Sequence, residues 1–315
     1  MSGGVGVHVL SCATAPLKAP STSNAISSAC VIGSMVRASR GERKRMLESA
    51  TMRVWRVFAT YVAAVASIFA TSGIAIVTLK AMFPDVADQT LLQSLPGLIA
   101  GSLASSIALI LTILLIVQPT TPAALRLLPG WETGRVLVVM MLAMLALGQL
   151  LDSLTWLVGW AQRGSIVLVR RVLESAVGPD LFGAVIVFGF IAGAAEEIFF
   201  RGFMLTRLAE HWGGRRAIVA TAACFGVLHV DPNGIHMLLA FAMGLYLGFV
   251  AERTGSTLPA IVCHVVNNAV YTLQIALGGT LEGRAGNAAL AVTCAVLFVA
   301  CLAWLKRVAP PSAAA

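Results

Sequence analysis

Val57–Leu79, VFATYVAAVASIFATSGIAIVTL, runs for 23 residues without a charged side chain. At about 1.5 Å per residue, a helix of that length crosses a hydrocarbon core about 30 Å thick. It is too long and too uniformly apolar to be a surface helix. Leu98–Val117 repeats the signal with 20 uncharged residues. Working outward, further spans read at Val136 to about Trp160, Leu181–Leu205, Ala217–Val230, Ile235–Val250, Leu258–Leu277 and Ala288–Leu305. The chain is 58% hydrophobic and 11% charged, with a mean hydropathy of +0.88, far from the balance of a soluble domain. The expected fold class is all-α, a polytopic membrane protein with about eight transmembrane helices.

The formal charge of +8 invites a nucleic-acid partner, but the placement of the bases explains it better. With both termini cytoplasmic, 17 of the 22 Lys and Arg fall inside and 5 outside, as the positive-inside rule requires. The expected setting is therefore multi-pass and integral, in the plasma membrane, with lipid as a partner and no nucleic acid. Arg163 to Arg171 are the exception, and Ser165–Val177, mixed apolar and basic, reads as a segment lying flat on the interface. The six cysteines show no CxxC spacing and read as small apolar residues.

Residues 1–52 carry Ser, Gly, Ala and Arg with no acid before Glu42, which reads as a disordered basic leader. The same composition fits an organellar transit peptide or a start drawn upstream of Met35 or Met46. The rest divides into 53–178, the first spans and the interfacial segment, then 179–277, where the paired ionisable residues lie, and 278–315, the last span and a short tail. Asp152 in the third span reads as a residue that caps or bends its helix.

Ionisable side chains in hydrocarbon are costly and persist mainly where they have a task. Glu196 and Glu197 close an apolar run, and Arg201 follows Glu197 at i+4 on the same helix face. That pair can neutralise itself and hold the helix, which leaves Glu196, about 100° around, free to act as a base. Gly213-Gly214 marks a turn, with Glu196 17 residues before Gly213 and His229 16 after it. In an antiparallel hairpin the two lie at similar depth and should meet. Phe225 and His229 share a face at i and i+4, so the aromatic ring can orient the imidazole. His264 and Asn268 share another face and carry the donor types that stabilise an oxyanion. His236, close to Asp231, could line the same cavity, but reads better as an interfacial anchor. Each residue alone has a bland reading as packing or interhelical glue, whereas the set together points to a catalytic site. A silent scaffold or immunity protein that binds a peptide or lipid, and a proton-coupled transporter, are the competing classes.

Glu196-Glu197-Ile198-Phe199-Phe200-Arg201-Gly202, Phe225-Gly226-Val227-Leu228-His229 and His264-Val265-Val266-Asn267-Asn268 resemble, in order, the three signatures of the CPBP (CAAX protease and bacteriocin-processing, or Abi) intramembrane proteases. The similarity runs from about Phe182 to Tyr271. It implies helices enclosing an intramembrane cavity and an endopeptidase acting on a membrane-associated or C-terminally anchored protein, near the cytoplasmic face. It further implies that Glu196 and His229 activate water while His264 and Asn268 hold the oxyanion, with Glu197, Arg201 and Phe225 in support. Glu196, His229 and His264 could ligate zinc with an open fourth position. Without an HExxH helix, the expectation is a metal-free glutamate mechanism with no cofactor, and zinc is the alternative.

Overall fold

The computed structural model describes residues 52–279 and 281–308. The leader, apart from Met52, and the tail beyond Val308 lie outside the described residues. Among the described residues ten helices follow in chain order: α1 Val54–Met82, α2 Asp88–Leu92, α3 Leu95–Ile116, α4 Gly134–Leu157, α5 Ile166–Glu174, α6 Gly178–Trp212, α7 Gly214–Leu228, α8 Ile235–Thr254, α9 Leu258–Ala276 and α10 Arg284–Arg307. Among the described residues there is no strand. The fold is an all-α, multi-pass membrane bundle. Its boundaries follow local chemistry. The Ser94 hydroxyl accepts the Gly97 N–H at 3.3 Å to cap α3, and Gly213, at φ +74°, takes a left-handed turn between α6 and α7 that a side chain would strain.

Seven of these helices, α1, α3, α4, α6, α8, α9 and α10, are long and apolar enough to cross a membrane. The expected fifth span, Ala217–Val230, is a 15-residue helix, α7. At about 22 Å it is shorter than the other spans and ends before His229, and the loop that follows reaches the far end of the bundle through the Asp231–Ser165 contact. The apolar run there is real, but a run of that length does not separate a span from a buried helix.

Polar contacts sort the connections onto two ends of the bundle. At one end His211 bonds the Met52 carbonyl at 2.9 Å, Trp131 donates to the Arg253 carbonyl at 2.7 Å, Arg126 pairs with Glu252, and Arg253 reaches the Leu305 carbonyl at 3.1 Å. Residues 52 and 308 thus lie at the same end. At the other end the Ser165 N–H donates to Asp231 at 2.7 Å, Arg170 pairs with Asp152, Gln274 bonds Gln149 at 3.1 Å, and Arg284 reaches the Leu157 carbonyl at 3.4 Å.

One reading of this second end needs correction. Asp152 neither caps nor bends α4: it is buried in an ion pair with Arg170. Arg170 also donates to the Tyr271 hydroxyl at 3.2 Å and lies over the Trp156 ring at 5.6 Å. Its helix, α5, is therefore folded over the end of the bundle, with Arg170 inward and Arg171 exposed.

Candidate active site

Helix α6 carries the glutamates, and its winding is not uniform. Backbone bonding widens to the i→i+5 pattern over Val185–Ala192 and again over Ile198–Leu205, leaving Gly193–Glu197 as an ordinary α-turn between them. Such π stretches cluster at functional sites because they re-aim side chains without breaking the helix. On the facing side α9 approaches closely, because α6 presents glycine there. A Cβ added to Gly193 would sit 3.3 Å from the Val265 backbone nitrogen, and one on Gly189 would sit 3.3 Å from the Ala269 Cβ. Small residues at such positions let backbones approach within a membrane.

That approach joins Glu197 to His264. The Nδ1–H of His264 donates to Glu197 Oε1 at 2.8 Å, and Arg201 Nη1 donates to the same oxygen at 2.6 Å. Arg201 Nη2 donates to the Gly244 carbonyl at 2.9 Å, and its guanidinium lies 4.8 Å from the centre of the Phe225 ring. Glu197 and Arg201 are both fully buried. The i,i+4 spacing accounts for the Glu197–Arg201 pair. The hold on His264, 67 residues away in sequence, had no local signal.

Glu196 points elsewhere. Its carboxylate keeps 16% exposure, makes no hydrogen bond among the described residues, and has His264 Nε2 3.8 Å away. The expected direct contact with His229 is absent: the near imidazole is His264, and His229 shares only the cavity. His229 follows the last residue of α7, where its Nδ1–H donates to the Phe225 carbonyl at 2.8 Å. Because a carbonyl can only accept, this bond assigns the tautomer and leaves the Nε2 lone pair free. Phe225 sets both imidazoles, edge-on to His229 at 4.6 Å and to His264 at 5.9 Å. Asn268 commits one amide hydrogen to the Phe188 carbonyl at 3.2 Å and accepts from Asn267 at 3.3 Å, which leaves its second amide hydrogen free.

Glu196, His229, His264 and Asn268, from α6, the end of α7 and α9, line one cavity of about 490 Å³ together with Phe225. That volume suits a ligand or peptide side chains. His236, expected at the interface, lines the same cavity, packs edge-on against His229 at 4.9 Å between ring centres, and lies 3.3 Å from the Ser165 hydroxyl. Asp231 holds the loop beneath it. Burial works against its charged form, but the Ser165, Ile235 and His236 N–H groups outweigh that cost and hold its carboxyl below the ordinary value. Among the described residues no three His, Cys, Asp or Glu side chains are grouped as a cation site.

A family model described as type II CAAX prenyl endopeptidase, Rce1-like, matches residues 178–270. No curated protein and no solved structure matches the chain. The matched stretch begins at the first residue of α6, ends within α9, and contains every side chain of the constellation. Residues 178–270, the stretch that carries the constellation, are thus similar to the Rce1-like type II CAAX prenyl endopeptidases, in agreement with the CPBP resemblance of the three motifs.

Proposed function

We propose that this protein hydrolyses a peptide bond in a membrane-associated or C-terminally anchored protein, using water activated by Glu196 and His229. The observation that carries the reading is the convergence of Glu196, His229, His264 and Asn268 on one cavity within the membrane bundle. Glu196, a carboxylate with no committed partner, takes a proton from water, and the free Nε2 of His229 orients that water. As the hydroxide adds to the scissile carbonyl, the oxyanion receives N–H groups from Asn268 and from Nε2 of His264 in its imidazolium form. Collapse then passes the proton from Glu196 to the leaving amine. Glu197 holds His264 by Nδ1, and Arg201 and Phe225 hold Glu197 and both imidazoles in place.

The donor set is not grouped for a cation, so no step here passes through a metal. The family's name speaks of prenylated CAAX tails, one form of the anchored C-terminal segment covered by this reading. We place both ends of the bundle's chain, residues 52 and 308, on the cytoplasmic side of the plasma membrane, because their end is rich in base.

The test is cleavage by purified Glu196→Gln and His229→Ala variants that melt like the wild type. Each should lose about 10²–10⁴-fold in rate. Retained turnover in Glu196→Gln would overturn the mechanism. Comparing membrane-protein termini in wild-type and Glu196→Gln cells would identify the substrate.

A further inference from the structure

We propose that the catalytic cavity faces the extracytoplasmic side of the membrane and takes a polypeptide segment presented there, at the outer end of a membrane anchor. The substrate half rests on the endopeptidase reading above; the direction rests on geometry and charge alone.

The cavity occupies one half of the bundle. It is lined by the first turns of α3 (Leu98, Ser102), the later half of α4 (Gln149, Asp152) and the later half of α9 (to Gln274). It also takes the first turns of α8 and the end of α7. All of these belong to the end that holds the Ser165–Asp231, Arg170–Asp152 and Gln274–Gln149 contacts. Toward the opposite end the space is filled: Phe199, Phe200, Phe203 and the Glu197–Arg201 pair are all fully buried. The turn at Gly213 lies 17 residues beyond Glu196, about 25 Å along the helix.

The two ends differ sharply in charge. At the closed end, residues 52–56, 117–135, 205–216, 251–258 and 305–308 carry ten Lys and Arg and three Glu. At the cavity end, residues 80–95, 157–180, 229–234 and 277–284 carry five Lys and Arg and six Asp and Glu. Short connections rich in Lys and Arg stay in the cytoplasm. The closed end is therefore cytoplasmic and the cavity end is outside. This proposal departs from the expectation of a cut near the cytoplasmic face. The apolar walls around a few polar groups suit an extended segment leaving a transmembrane anchor, rather than a soluble polar loop.

The test is cysteine accessibility in spheroplasts, in full-length protein with all six native cysteines replaced. Glu282→Cys at the cavity end and Gln274→Cys in the cavity wall should react with a membrane-impermeant maleimide in sealed spheroplasts. Arg216→Cys should react only after permeabilisation. The opposite pattern overturns the proposal whatever the enzyme does. In the termini comparison, new ends dependent on Glu196 should map to the outer flank of membrane anchors, and ends on the inner flank would also overturn it. If labelling is as expected but no terminus depends on Glu196, the endopeptidase reading fails and takes the substrate half with it.

Discussion

Replacing Glu197 by Gln separates the two adjacent glutamates in one measurement. The substitution keeps the shape and removes the charge. Arg201, with no exposure, then stays buried without its counter-ion, and His264 Nδ1–H loses its carboxylate acceptor at 2.8 Å. Removing one partner of a buried ion pair costs about 3–5 kcal/mol. Arg201 keeps the Gly244 carbonyl and the Phe225 face, which argues for the lower bound, about 3 kcal/mol. For a chain of this size that is a fall of roughly 6–12 °C in Tm. Glu196→Gln, partly exposed and without a hydrogen-bond partner, should stay within about 0.5 kcal/mol of wild type while abolishing cleavage. Glu197→Gln combined with Arg201→Met removes both charges and should recover most of the loss. The assay is thermal unfolding of the detergent-solubilised protein, followed by size exclusion. A Glu197→Gln protein as stable as wild type, beside a destabilised Glu196→Gln protein, would refute the division of roles.

Other outcomes follow from the same contacts. Gly193→Val should cost about 1–3 kcal/mol, because its Cβ would sit 3.3 Å from Val265 and push α9 away, and should lower cleavage by moving His264; unchanged activity would show that the close approach is dispensable. Asp231 has a folded value below the ordinary carboxylate range. Its stabilising contribution is thus complete above that range and is lost as pH falls through the folded value. Acid melts should show this loss in the wild type and not in Asp231→Asn. Treatment with a chelator followed by dialysis should leave cleavage unchanged, and activity lost to chelation and restored by zinc would overturn the metal-free route.

The membrane helices were legible because crossing lipid needs a fixed length of apolar chain, and Val57–Leu79 or Leu98–Val117 states that length directly. Ala217–Val230 was less so, since a stretch of only 14 residues suits a partial helix as well as a tilted span. The Glu197–Arg201 pair could be read from spacing because the two share one helix face. The Asp152–Arg170 pair could not, as its members stand on different helices. The same holds for His236, whose place depends on how the loop at Asp231 folds back against α5.

By itself, the sequence determined the solvent of this protein, the charge bias of its connections and the residue types available for chemistry, because these depend on composition and local periodicity. Only the tertiary structure decided which imidazole meets which carboxylate. The helices are wound unevenly by the π stretches of α6 and drawn together by Gly189 and Gly193, and neither effect is additive along the chain. Packing therefore placed His264 on Glu197, left Glu196 facing the cavity, and set that cavity in the base-poor half of the bundle.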